Sequence, residues 1–240
     1  MSKPGALTTT TDLIKGVDLS GKTAVITGAS SGLGLETAYS LARTGCQVVL
    51  CARDKTRLKA CVEDVKSETA NPNIHAQLID LQDLSSVRKA AAKIAAEFPR
   101  IHFLINNAGV MATPFTRLEN GFEQQFGVNH LAHFLFTLLL EKNLQAAAPS
   151  RVINLSSGGH KHASVDLDDL HWEKRPYNKW QAYGQSKTAN VLFTFELDQR
   201  WKEKGVRAFA VHPGAIPTNL GRHLTDKDIE DLMNNSVGRG

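Results

Sequence analysis

Thr23-Ala-Val-Ile-Thr-Gly-Ala-Ser-Ser-Gly-Leu-Gly34 decides the fold. Thr23–Thr27 is a short apolar, strand-like run that passes straight into glycine-rich sequence. Leu33 to Arg43 then carries apolar residues at helical spacing and stops at Gly45, a helix C-terminal signal. Glycines 28, 32 and 34 let the chain turn sharply and bring its backbone close to a ligand. The helix N-terminus presents free N–H groups and a positive dipole end. Strand, glycine loop and helix in that order make a seat for the pyrophosphate of a dinucleotide, lined by Gly28, Ser30, Ser31, Gly32, Leu33 and Gly34.

Outward from this stretch, strands and helices alternate. Strand-like runs recur at Gln47–Cys51, Ile74–Ile79, His102–Ile105, Arg151–Leu155 and Val206–Val211. Helical patterns fill Asp54 to Thr69, the stretch capped by Asp83 or Ser85 and ending before Pro99, Gly121 to Leu144, and Gln181 to Glu203. Apolar strands separated by helices predict an α/β fold, a doubly wound and mostly parallel Rossmann-type sheet with helices on both faces. Without an internal repeat or linker, the expectation is one domain over residues 19–240, preceded by a tail or arm over 1–18. After Pro213 only 27 residues remain, ending in Asn234-Asn-Ser-Val-Gly-Arg-Gly240 with no strand pattern. A C-terminal strand and lid are therefore not supplied by the pattern.

A formal charge of +4, scattered along the chain, is too small to imply nucleic acid. Cys46, Cys51 and Cys61 form no C-x-x-C pair and read as structural thiols. Met1 to Ser20 has no apolar signal-peptide core, and the longest apolar stretch, Phe134–Leu140, is far too short for a membrane span. A cytoplasmic protein with no membrane or nucleic-acid partner is the expectation.

The second strand ends in Leu50-Cys-Ala-Arg-Asp54. Sites that prefer NAD(H) place an acid here for the ribose 2′-hydroxyl. Ala52 stands at that position, and Arg53 can pair with a 2′-phosphate instead, so NADP(H) is preferred over NAD(H). Asp54 is free to cap the next helix.

Five further motifs follow in order: Asn106-Asn-Ala-Gly109, Asn129, Ser156-Ser157, Tyr183-Gly-Gln-Ser-Lys187 and His212-Pro-Gly214. With the glycine loop they resemble the short-chain dehydrogenase/reductase family over roughly residues 20 to 220. Tyr183 and Lys187, four apart, share one helix face. A free tyrosine is a poor base at neutral pH, but an ammonium ~4 Å away at an effective dielectric of ~20 favours the phenolate by about 4 kcal/mol. That predicts a pKa drawn down towards 7. The resemblance implies Tyr183 as acid/base, Ser157 (with Ser156 as the alternative) polarising a substrate oxygen, and Asn129 holding a water that links Lys187 to solvent. It implies that Lys187 binds the nicotinamide ribose and that Asp80 and Leu81 lie at the adenine. Asn107, Ala108 and Gly109 line the cofactor, Pro213 and Gly214 cradle the nicotinamide, and Ile216 and Thr218 lie by the carboxamide.

Ser157 and Tyr183 are 26 residues apart, about twice the separation in many members. That insertion resembles the retinol dehydrogenase, WW-domain oxidoreductase and protochlorophyllide reductase branch. Membrane-bound retinol dehydrogenases usually carry an N-terminal apolar anchor, so the match here is to a soluble relative, and retinoid specificity is not carried over. His160, His162, Asp166, Asp168, Asp169 and His171 in the insertion fit no standard metal spacing, and no metal is expected. Trp172, Tyr177 and Trp180 either wall an apolar pocket or pin the loop. His130 and His133 are taken as packing or subunit-contact residues.

The expected function is hydride transfer between NADP(H) and a small carbonyl or alcohol substrate, with a nucleotide sensor or scaffold and a reductase of activated carbon–carbon double bonds as the competing readings. The protein is a monomer or a homo-oligomer; relatives often pair through the helices carrying Asn129 and Tyr183.

Overall fold

A computed structural model describes Gly5, residues 8–228 and Glu230. Six parallel strands, β1 (Thr23–Thr27), β2 (Gln47–Ala52), β3 (Ile74–Leu78), β4 (Phe103–Asn106), β5 (Ser150–Leu155) and β6 (Val206–Val211), form one sheet in the order β3-β2-β1-β4-β5-β6. The chain winds outward from β1 to β3, then returns beside β1 and winds the other way. The reversal leaves a crevice beyond the C-terminal ends of β1 and β4, where doubly wound sheets bind ligands.

Successive side chains of a strand enter opposite cores. Ala24, Ile26, Val48 and Leu50 meet α2 (Gly32–Arg43) and α3 (Lys55–Thr69) through Ala38, Ala42, Leu58, Val62 and Val65. Val25, Val49, Leu104 and Val152 enter the other core, against α4 (Leu84–Glu97) and later helices. β1 is buried along its whole length because both faces are covered. A short α1 (Thr10–Ile14) precedes the sheet, held by a capping box between Thr9 and Asp12 and touching α2 through Thr10 and Glu36. Of the two caps open for α4, Asp83 is the one used; its carboxylate accepts the Ser85 N–H at 2.7 Å.

The helix expected from Gly121 to Leu144 is broken. Gly121 sits in a loop at φ +85, and Glu123 opens α5 (Gln124–Phe126) by accepting the Gln125 and Phe126 N–H groups at 2.9 and 2.7 Å. A π turn over Gly127–Leu131 follows, then α6 (Ala132–Leu139) and α7 (Glu141–Ala146). Helix α8 (Lys179–Trp201) starts two residues earlier than the pattern indicated, because Asn178 accepts from both the Trp180 and Gln181 N–H groups.

Cover on the α2 side thins out beyond β4. Ile153 and Leu155 of β5 and their register partners Phe209 and Val211 of β6 point that way, and the latter two are 42% and 38% exposed. A hollow of about 340 Å³ runs there between Leu33, Thr37 and Leu41 of α2 and the strands. Residues 231–240, which include the closing Asn234–Gly240 stretch, lie outside the described residues, and no seventh strand occurs among the described ones. No helix among them is long and apolar enough to cross a membrane.

Candidate active site

At the crevice, β1 ends in Thr27 and the chain turns through Gly28 at φ +67. A Cβ on Gly28 would lie 2.8 Å from the Ala108 Cα, and one on Gly34 would lie 2.4 Å from Asn107 Nδ2 and 2.5 Å from the Gly28 carbonyl oxygen. The loop is therefore drawn tight against the end of β4, and Asn107 Nδ2 ties it by donating to the Thr27 carbonyl at 2.8 Å. Ser31, at the N-cap of α2, makes no side-chain cap, so the first-turn N–H groups of this twelve-residue helix have no side-chain acceptor. That is the arrangement an anionic ligand needs.

Around this cradle the structure places most of the sequence-identified residues. The Ser30 carbonyl accepts from Arg57 Nε at 2.9 Å. Arg53 is exposed beyond β2, and Asp54 caps α3 through the Arg57 N–H at 2.9 Å. Asp80 accepts the Gln82 N–H at 2.9 Å, beside buried Leu81. The stretch after Pro213 and Gly214 folds across the loop: Thr218 Cγ2 would lie 3.2 Å from a Cβ on Gly32, and Leu220 reaches Gly109. Ile216 on that stretch is half exposed. An ion pair between Lys179 and Asp228, at 2.5 Å, fastens the end of the stretch to α8.

Sequence reasoning missed two arginines here. Arg57 was hidden because its position within α3 looks like an ordinary solvated helix residue. Arg222 has its pKa lowered, first by burial and then by the charge of Arg53, so the two guanidiniums lie near enough to repel one another. No local motif announces that long-range meeting.

At the other end of the crevice, Tyr183 and Lys187 are both buried on α8. Lys187 Nζ lies 5.7 Å from the centre of the Tyr183 ring and donates to the Leu155 carbonyl at 2.9 Å. Ser157 Oγ accepts the Gly159 N–H at 3.1 Å and lies beside Tyr183, close enough to lower its pKa, whereas Ser156 turns away and donates to the Lys187 carbonyl at 3.1 Å. Gly159 lies flat on the tyrosine; a Cβ there would come within 2.9 Å of its ring. The Asn129 side chain is engaged on all sides: Oδ1 accepts the Val110 N–H at 2.8 Å, and Nδ2 donates to the Val110 carbonyl at 2.9 Å and to Ser186 Oγ at 3.0 Å.

The expected fall of the Tyr183 pKa towards 7 is not found. Burial holds the phenol above its ordinary 10, and only the Ser157 hydroxyl works in the other direction. The reason lies in burial, which acts on both partners. Lys187 is itself stripped of water, and burial brings it down to about 8, so the buried pair bears a desolvation cost that the charge-only argument left out. Tyr183 at neutral pH is a phenol. Lys187 remains largely an ammonium.

The insertion is pinned rather than loose. Arg175 stacks 4.0 Å over the Trp172 ring and pairs with Asp166 and Asp169. Tyr177 Oη accepts from Gln125 Nε2 at 2.8 Å and lies 3.1 Å from buried Glu123. Thr188 on α8 donates to the His160 and Ala163 carbonyls. Of the two roles open for the aromatic residues, Trp172 and Tyr177 take the pinning one. Among the described residues no group of three or more potential ligands is arranged for a metal. The cysteines carry no disulfide, and burial raises the thiol pKa of all three, to about 12 for Cys46.

The short chain dehydrogenase family profile matches residues 22–229. Human retinol dehydrogenase 13 is 51% identical over 203 residues, which are 85% of this chain and 61% of the relative; the chain thus spans about three-fifths of that protein's length. A crystal structure of an uncharacterised Mycobacterium paratuberculosis protein superposes with a TM-score of 0.74 at 42% identity, covering 86% of this chain and 73% of its own. The Pseudomonas aeruginosa RhlG/NADP active-site complex superposes at 0.70 with 26% identity, over 90% of this chain and 82% of its own. With the parallel sheet, the glycine cradle and the serine, tyrosine and lysine gathered at one crevice, the chain belongs to the short-chain dehydrogenase/reductase family and is similar in sequence to its retinol dehydrogenase branch.

Proposed function

We propose that this protein is an NADP(H)-dependent oxidoreductase acting on a carbonyl/alcohol pair, with Tyr183 as the proton donor and acceptor. The observation that carries the reading is the buried Tyr183, flanked by Ser157 and backed by Lys187, at the same crevice as an uncapped, glycine-lined helix N-terminus. The cofactor, when bound, supplies or takes the hydride. Gly28, Ser30, Ser31, Gly32, Leu33 and Gly34 hold its pyrophosphate, Asp80 and Leu81 its adenine end, and Asn107, Ala108, Gly109, Pro213, Gly214, Ile216 and Thr218 its nicotinamide end.

The chain's own groups handle the proton. A phenol whose pKa burial holds above the ordinary value is protonated at neutral pH, so Tyr183 Oη gives its proton to the substrate oxygen as that oxygen gains negative charge. Ser157 orients the same oxygen. The phenolate left behind is stabilised by the Ser157 hydroxyl and by the Lys187 ammonium, and the proton is replaced along the lysine side of the pocket. Asn129 acts by positioning that side. In the reverse direction the phenolate accepts the alcohol proton.

The preference for NADP(H) rests on Arg53 with Arg57 and Arg222 near one end of the cradle, where guanidiniums pair with a 2′-phosphate. The names of the relatives add retinoid aldehydes and alcohols to the candidate substrates. The test follows absorbance at the NADPH band across aldehydes, ketones, enones and all-trans-retinal. Turnover of an aldehyde or ketone is expected. Tight NADPH binding without turnover of any of them would favour a sensor, and turnover of enones alone a double-bond reductase.

A further inference from the structure

His133 lies in α6, has 2% of its surface exposed, and belongs to none of the motifs above. Its two ring nitrogens reach in opposite directions. Nε2 is 2.8 Å from Thr27 Oγ1, at the root of the glycine loop, and Nδ1 is 3.0 Å from the Asn129 carbonyl oxygen, in the π turn. Only one placement of the protons satisfies this geometry. Thr27 Oγ1 already accepts the Asn107 and Ala108 N–H groups at 3.0 and 3.1 Å, which fills both of its lone pairs. Its hydroxyl proton must therefore be donated, and Nε2 at 2.8 Å is a far better acceptor than the Ile105 carbonyl at 3.5 Å. Nδ1 then carries the ring proton and donates it to the Asn129 carbonyl, which would otherwise face a bare lone pair.

The chain of bonds continues past Asn129. Its carbonyl also accepts from Asn190 Nδ2 at 3.1 Å, and the same Asn190 nitrogen is 3.2 Å from the Leu155 carbonyl that takes the Lys187 ammonium. An unbroken set of buried and partly buried hydrogen bonds thus runs from Lys187 through Leu155, Asn190, Asn129 and His133 to Thr27 and the backbone of Asn107 and Ala108. We infer that His133 is a positioning residue that locks the phosphate-loop threonine Thr27 to the Asn129 carbonyl, so that the dinucleotide cradle and the lysine side of the proton path share one geometry. The inference rests on the dinucleotide-site reading above. An apolar residue of the same size would fill the space but leave Thr27 Oγ1 and the Asn129 carbonyl without their shared partner.

Asparagine and glutamine separate the two halves. In His133→Asn the amide nitrogen takes the place of Nδ1 and keeps the Asn129 contact while losing Thr27. In His133→Gln the amide end takes the place of Nε2 and keeps Thr27. NADPH is titrated by its fluorescence against wild type, both variants and His133→Leu, with thermal melting and amide hydrogen exchange at Asn107 and Ala108 measured in parallel. The expected result is a roughly tenfold weaker NADPH affinity and faster exchange at Asn107 and Ala108 in His133→Asn and His133→Leu, with His133→Gln within about threefold of wild type on both. Equal affinity and exchange in the Asn and Gln variants, whatever their melting temperatures, would overturn the inference. Failure of the wild type to bind NADPH would overturn the dinucleotide-site reading instead, so the two failures are told apart.

Discussion

Lowering the pH should destabilise this protein, with a share of the loss that can be traced to one side chain. Burial depresses the His133 pKa from an ordinary 6.5 to about 4, because a charged imidazolium there would have no water and would face the Lys187 ammonium. The folded state therefore refuses a proton that the unfolded chain accepts. The sign follows: the stabilisation due to neutral His133 is complete above 6.5 and is lost progressively as the pH falls from 6.5 to about 4. A gap of about 2.5 pH units at ~1.4 kcal/mol each makes the full loss about 3–4 kcal/mol, a large part of the ~5–15 kcal/mol that holds an ordinary domain together. Other histidines with depressed pKa, among them His75, His102, His130 and His171, add to the same trend, while buried Glu123, whose pKa is raised, opposes it. The difference between wild type and His133→Asn removes these shared contributions. Urea unfolding at pH 7, 6, 5 and 4.5 should show the wild type losing stability more steeply, with the two curves converging by about 2–3 kcal/mol over the range. Parallel curves would refute the account.

Tyr183→Phe should keep NADPH affinity within about twofold and lose turnover by at least ~10²-fold, as expected for removal of a general acid; undiminished activity would remove Tyr183 from the mechanism. Arg53→Ala and Arg57→Ala should each weaken NADPH about tenfold while leaving NADH almost unchanged, which competitive titration of the two cofactors would read. Lys187, brought by burial to about 8, should make NADPH binding pH-dependent, because the ammonium that favours the anionic cofactor is lost above that value. The dissociation constant should rise up to tenfold per pH unit above about 8 in the wild type and stay flat in Lys187→Met. Gly34→Ala places a methyl 2.5 Å from the Gly28 carbonyl oxygen, and should cost about 2–3 kcal/mol in melting experiments and abolish NADPH binding.

The strands and most helix limits were legible because their signals are local. Thr23–Thr27 is buried on both sides, so it reads as an apolar run, and Asp54 and Asp83 cap the helices they precede. The break in the Gly121–Leu144 stretch was not legible. Its apolar residues keep a helical period, and the π turn at Gly127–Leu131 shifts the register without any proline to mark it. The candidate site was readable as a set of motifs, and Ser157 and Tyr183 do meet although 26 positions separate them. What the motifs could not give was the electrostatic balance. Counting the Lys187 charge predicts a tyrosine drawn towards neutrality; only burial, a property of the folded whole, shows that both groups bear a desolvation cost.

The same distinction explains why His133 looked like a packing residue. It stands on a helix amid Phe134, Leu135 and Phe136, where a lone histidine is ordinarily a satisfied core side chain. Its partner Thr27 is 106 residues away, and they meet only because β4 returns to lie against β1 and carries the following helix over the end of β1. The winding reversal that opens the crevice for a ligand thus also brings the helix of Asn129 onto the root of the glycine loop. A protein that must hold a cofactor and a proton path in one alignment gains from joining them at that crossing, and a neutral imidazole spans it because its donor and acceptor nitrogens reach in opposite directions, whereas an asparagine or glutamine amide at this position reaches only one side.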